Sequence, residues 1–287
     1  MPELPEVEVV KKSLEAKLKN LIIKKVNIIN NKLRYKINSK QFDKIKNQKI
    51  ISIKRKSKYL LINLSKNFTI LVHLGMTGKF FIIDNNKMHK TSFYYSLKKN
   101  NIKHDHLIFF FNKKIKLIYN DVRKFGFIKI YHSEDVFNCE HLVSLGPEPF
   151  SDDFSSSYFK EYILNKKIKI KDLLMDQKFV AGLGNIYCNE VLFLCKISPV
   201  RYVKKINQQE IKKIIKFTKK ILKQSILLGG SSIQNFSNSD GQDGNFQQKF
   251  NVYGREKGNC SRSKCLGIIK KVYTSNRSSF FCPQCQK

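Results

Sequence analysis

The chain has 287 residues, enough for two domains or one large one with ample core. Its net charge of +33 and isoelectric point near 9.9 point to a polyanionic partner such as nucleic acid, although only seven of the 55 basic residues are Arg, a pattern that biased codon supply would produce as well as selection for DNA binding. No run of 18 or more apolar residues and no basic-then-apolar start occurs, so a helical membrane span and a secretion signal are set aside and a soluble, intracellular protein without membrane partners is expected.

The chain opens MPELPEVE. A second residue as small as Pro2 favours removal of Met1, which would leave a secondary α-amine. Such an amine has an unperturbed pKa near ~8, against ~10.4 for lysine, so roughly a tenth of it is unprotonated at neutral pH. That makes Pro2 a nucleophile for an electrophilic sugar carbon, with Glu3 and Glu6 at hand as carboxylates for proton transfer. A purely structural reading stands beside this one. Pro5 suits the first turn of a helix, Glu6 and Glu8 favour its positive end, and Leu4, Val7, Leu14 and Leu18 form an apolar stripe.

Short β-type runs follow at 21–29, 49–55, 58–64, 68–75, 105–111, 114–119 and 126–132, and their spacing predicts an antiparallel sandwich or barrel. The segment SLGPEPFSDDFSSS (144–157) reads as a boundary. Helical patterns take over: YFKEYILNKK, DLLMDQK, IYCNEVLFLCK (186–196) and a long one over 207–228 that ends at Gly229 and Gly230. The stretch 231–248 has little to pack and is expected to be a mobile loop.

Four of the seven cysteines fall in the last 28 residues. Cys260 and Cys265 enclose four residues, Cys282 and Cys285 enclose two, and 16 lie between the pairs. Two close pairs with hairpin-forming residues between them suit one tetrahedral zinc ion, structural because four thiolates leave no open position. HLGMTG (73–78) and NDVRKFGF (120–127) place His73, Met76, Arg123 and Phe125 at strand ends beside glycines. A guanidinium can read a base edge and an apolar side chain can replace an extruded base, yet Met76 and Phe125 also suit a core and His73 an ordinary hydrogen bond. AGLGNIY (181–187) puts a tight turn at a helix start, where free amides and Asn185 can hold a phosphate or Asn185 can simply cap the helix. Lys58 alone reads as a solvated charge.

Taken together and in this order, from MPELPEVE to FFCPQCQK, these motifs make the sequence resemble the bacterial formamidopyrimidine-DNA glycosylases. The resemblance implies an α+β fold: an N-terminal antiparallel β-sandwich with flanking helices (1–133), a linker (134–150), a helix-two-turn-helix domain (151–230), a lesion-capping loop (231–252) and a four-cysteine zinc finger (253–287). It implies a monomeric cytoplasmic enzyme that removes oxidised purines from double-stranded DNA and cleaves the abasic site. Pro2 would attack C1′ of the damaged nucleotide, Glu3 would help open the sugar ring, and Glu6 would support it. Lys58 would serve proton transfer and phosphate contact. Met76, Arg123 and Phe125 would fill the void left by the flipped base, with Arg123 facing the opposite cytosine. His73, His104, Lys166 and Asn185 would contact the DNA backbone, and Arg277 would grip phosphate from the zinc hairpin. Two departures stand out: the family usually has two residues inside the first cysteine pair, and Lys124 stands where a second Arg is usual. Two other readings stay open, an endonuclease VIII-type glycosylase for oxidised pyrimidines and a non-catalytic zinc-ribbon nucleic-acid-binding protein.

Overall fold

A computed structural model describes residues 2–91, 102–230 and 250–287. Met1 and the expected loop at 231–248 lie outside the described residues. The first element is helix α1 (Leu4–Leu18), with Pro5 in its first turn and Glu6 near its positive end. Its stripe works as the apolar spacing requires: Leu4, Val7, Val10, Leu14 and Leu18 are all buried.

Among the described residues nine strands follow in this unit, all paired antiparallel. They are β1 (Ile23–Ile28), β2 (Ile50–Lys56), β3 (Tyr59–Leu64), β4 (Phe68–His73), β5 (Lys79–Asp84), β6 (Lys87–Lys90), β7 (Asp105–Phe111), β8 (Lys116–Asn120) and β9 (Phe127–His132). A short helix α2 (Ser39–Asp43) lies between β1 and β2. One sheet has the order β1-β7-β8-β5-β6 and the other β2-β3-β4-β9. Side chains from both, such as Phe81, Leu107 and Tyr119 from the first and Ile53, Leu60 and Ile70 from the second, share one core with α1. The architecture is therefore a sandwich and not a barrel. The β5–β6 hairpin is an addition to the strands expected above. Its turn residues Asn85 and Asn86 have φ of 47° and 61°, the left-handed pair that a two-residue hairpin turn demands.

The described residues divide into two compact units: those up to Val143, with which Gly229 and Gly230 group, and Ser144–Leu228 together with residues 250–287. The second contains α3 (Ser156–Ile163), α4 (Ile170–Met175), α5 (Asn185–Cys195), α6 (Gln208–Leu227) and the hairpin β10 (Lys270–Thr274) and β11 (Arg277–Phe281). Helix α5 is buried on nearly every side and packs against α4, α6 and β11. Helix α6 begins with a reciprocal cap between Asn207 and Glu210 and buries Ile211, Ile214, Thr218, Ile221 and Leu222 along one face.

Candidate functional site

In the first unit, Pro2, Glu3 and Glu6 are all buried. Glu3 is the N-cap of α1 and Glu6 the third helical residue, and they close a capping box. In it the Glu3 N–H donates to Glu6 Oε2 at 2.9 Å. The backbone that carries Pro2 is thus fixed by a carboxylate on a rigid helix. Gly230, with φ of +85°, presses on the other side of Glu6: a Cβ there would meet Oε1 at 3.2 Å.

Lys58, 7% exposed, lies in the tight turn between β2 and β3, where Ser57 takes a φ of 54°. Arg55, which the sequence reading passed over, ties this turn to α1. Arg55 Nε donates to Glu8 Oε2 at 2.8 Å, and Arg55 Nη1 donates to the Ser57 carbonyl at 3.1 Å. Positive charge at Lys58 reaches His73 at the end of β4. Burial first, then the charges of Lys58, Arg34 and His141, push the His73 pKa down to about 4. Its Nδ1 accepts the Gly75 N–H at 3.2 Å, which assigns the ring proton to Nε2. A neutral imidazole with a donor at Nε2 results.

The two glycine-flanked motifs meet back to back around Asp121, which is fully buried. Its carboxylate accepts from Thr77 Oγ1 at 2.5 Å and from the Gly126 N–H at 2.8 Å. Thr77 Oγ1 in turn accepts the Arg123 N–H at 3.0 Å. Close approach makes glycine obligatory here. A Cβ at Gly75 would enter the backbone of Phe125 and Gly126, and a Cβ at Gly126 would enter the Tyr119 hydroxyl. The result is a tip on which Arg123 and Phe125 are exposed, the guanidinium carbon 4.7 Å from the Phe125 ring centre. Met76, His73, Arg123, Phe125 and Arg34 line one concavity of about 550 Å³, so the sequence's two motifs do form one surface. Phe125 is 47% exposed, which sets aside its core reading. His104 joins this region through its carbonyl, which accepts the Asp121 N–H at 3.0 Å.

In the second unit, Asn185 opens α5, but Gly184 and not Asn185 is the N-cap. The Asn185 carbonyl accepts from Asn189 Nδ2 at 2.6 Å. The preceding turn is shaped by Gln177, whose Oε1 accepts the Gly182 N–H at 2.8 Å and whose Nε2 donates to the Leu183 carbonyl at 2.7 Å. Lys166 lies after α3, its ammonium 4.5 Å from the centre of the Tyr162 ring. Arg277 is exposed just past a hairpin turn in which Ser275 and Asn276 both have positive φ.

The four C-terminal cysteines converge, with every sulfur within 4.8 Å of the others. Cys260 and Cys285 are 3.9 Å apart, Cys265 and Cys282 3.7 Å. Thiolates at about 2.3 Å from a tetrahedral metal stand ~3.8 Å apart, so the set can hold one such ion. The wider first pair has a structural use. Its extra length carries Arg262, whose Nη2 donates to the Phe193 carbonyl at 2.7 Å near the end of α5. Glu190 of α5 is a further residue the sequence did not announce. Wholly buried, it accepts the N–H groups of Asn251, Val252 and Tyr253, each at 2.9 Å.

Comparison with known proteins gives this geometry a context. Residues 1–128 match the model of the formamidopyrimidine-DNA glycosylase N-terminal domain, and residues 145–237 match that family's H2TH domain. Fold and site together define a DNA-repair glycosylase. A curated formamidopyrimidine-DNA glycosylase of Rickettsia bellii is 42% identical over 287 residues, covering all of both chains. Among solved structures, a Lactococcus lactis Fpg bound to abasic-site DNA shares 33% identity and a TM-score of 0.85 over 99% of each chain. A mutant of that Lactococcus lactis protein in complex with Fapy-dG DNA, also 33% identical, aligns over all of both chains with a TM-score of 0.86. The chain belongs to the formamidopyrimidine-DNA glycosylase family.

Proposed function

We propose that the protein excises oxidised purines, 8-oxoguanine and formamidopyrimidines, from duplex DNA in the cell interior and cleaves the resulting abasic site by β,δ-elimination. After loss of Met1, the Pro2 nitrogen attacks C1′ of the damaged nucleotide while Glu3 assists ring opening and departure of the base. The iminium that forms is an electron sink that acidifies the C2′ proton. Lys58 takes part in that proton transfer; the 3′ phosphate leaves first and the 5′ phosphate second, with Arg277 gripping phosphate. Met76 and Phe125 fill the void in the stack and Arg123 faces the opposite cytosine. His73, neutral with its proton on Nε2, donates to the DNA backbone beside His104, Lys166 and Asn185. One zinc ion on Cys260, Cys265, Cys282 and Cys285 supplies a structural cross-link. The solved Lactococcus lactis complexes with abasic-site and Fapy-dG DNA support the choice of substrate.

The observation that carries this reading is the capping box at the N-terminus. Glu6 Oε2 holds the Glu3 N–H at 2.9 Å with both residues buried, which pre-organises amine and carboxylate on a helix end. Borohydride trapping on an 8-oxoguanine·cytosine duplex tests it. Untagged protein should give a covalent adduct that Pro2→Gly reduces and an N-terminal extension abolishes. Binding without any adduct would overturn the enzyme reading in favour of a binding protein. An adduct with oxidised pyrimidine alone would move the activity to the endonuclease VIII type.

A further inference from the structure

Lysine is among the residues least often buried, because removing an ammonium from water is costly unless its donors are satisfied. Lys171, the second residue of α4, is 1% exposed. Its Nζ donates to the Ser278 carbonyl at 2.7 Å and to Ser279 Oγ at 2.7 Å. Ser279 Oγ also lies 2.6 Å from Thr274 Oγ1 across the hairpin, so the ammonium holds β11 directly and is linked to β10 through that hydroxyl pair. These are the residues that flank Arg277: Ser278 and Ser279 follow it along β11, and Thr274 is its cross-strand partner.

A second tether runs beside the first. Asn189, also 1% exposed, donates through Nδ2 to the Asn185 carbonyl at 2.6 Å and accepts the Phe280 N–H on Oδ1 at 2.7 Å. Three consecutive residues after Arg277 are therefore held by side chains of α4 and α5, and one of those side chains reaches directly to Asn185. An apolar side chain at 171 would fill the same space without an ammonium to desolvate, but it would leave the Ser278 carbonyl and Ser279 Oγ without this donor. What an apolar residue would not do is fix direction.

We propose that Lys171 is a positioning residue that locks the hairpin onto the helical scaffold, so that Arg277 and Asn185 meet the DNA backbone at one set spacing. This rests on the phosphate-contacting roles given to those two residues above. Lys171 itself is too buried to touch DNA.

The test uses the full-length, zinc-loaded protein and Lys171→Met, which keeps length and loses the ammonium. Hydrogen exchange at the amides of 278–280 in the free protein should quicken at least 10-fold. Affinity for a duplex carrying a tetrahydrofuran abasic analogue should weaken about 10-fold, and products from an abasic-site duplex should shift from δ- toward β-elimination. Both effects should match those of Arg277→Ala and should not add to them in the double variant. Zinc content should stay at one per chain, and Lys171→Arg should recover part of the loss. Wild-type exchange, affinity and products in Lys171→Met would overturn the proposal, as would effects that add to those of Arg277→Ala. Should Lys171→Met fail to fold, Ser279→Ala removes one acceptor alone and must show the same pattern in weaker form. A silent Arg277→Ala alongside quickened exchange in Lys171→Met would overturn the role of Arg277 and leave the tether standing.

Discussion

Arg123 and Arg277 both stand on exposed tips, and what holds each tip is different in kind. The Arg123 tip is set by backbone pressed on backbone. Gly75, Gly78 and Gly126 leave no room for a Cβ, and one buried carboxylate, Asp121, receives donors from both loops. Beneath it is the large core of the sandwich. The Arg277 tip has only a small cluster below it, including Phe193, Val252, Ile269 and Phe280 together with Cys260 and Cys282. There, four cysteines and the buried side chains of Lys171 and Asn189 do what close packing does elsewhere. A loop on a large core can be shaped by sterics alone, whereas a hairpin on a small one needs cross-links and directional polar contacts.

Breaking the cross-link should have the largest effect. Cys282→Ser, or chelation of the metal, should unfold the hairpin and weaken DNA binding by well over 10-fold. The sandwich core uses none of those cysteines and should persist, as separate reporters in the two units during chemical denaturation would reveal.

A smaller effect is expected where sterics rule. Gly126→Ala forces a methyl group into the hydroxyl of Tyr119, a residue with no exposed surface, and should destabilise by about 1–3 kcal/mol in urea titration. Gly254→Ala sharpens the contrast. A Cβ at Gly254 meets nothing within 4 Å, but its φ of +71° leaves a conformational cost of about 1 kcal/mol. Equal losses at the two positions would mean that crowding is not what shapes the Arg123 tip.

A further effect appears only in acid and is absent at neutral pH. Because His73 titrates near 4 when folded and near 6.5 otherwise, the unfolded chain takes up a proton between those values that the folded chain refuses. Stability from this group is present above pH ~6.5 and is lost as pH falls toward 4, by at most about 3 kcal/mol. His73→Gln should flatten that part of the stability–pH curve. An unchanged curve would remove His73 from the set of groups that make the protein acid-sensitive.

Much of this was legible in the chain. Apolar spacing marked α1 and α6, short apolar β-type runs marked seven of the nine described sandwich strands, and cysteine spacing marked the four sulfurs that can hold a metal ion. The β5–β6 hairpin escaped because KFFIIDNNKMHK has one strongly apolar arm only, and its Asn-Asn turn is a weaker signal than Asn-Gly. Motifs beside glycines hinted at a shared surface, but not that Asp121 is what joins them. The burial of Asp121, Glu190 and Lys171 has no signal in the sequence, since no local pattern distinguishes a buried charged residue from an exposed one.

By itself, then, the sequence determined which segments pair or coil and which four sulfurs can share a metal, because periodicity and spacing act over a few residues at a time. Only the tertiary structure decided which charges are taken out of water and what they hold. That depends on donors and acceptors far apart in the chain, such as Lys171 and Ser278, 107 positions away. The value of a buried charge lies in partners that only folding brings within reach.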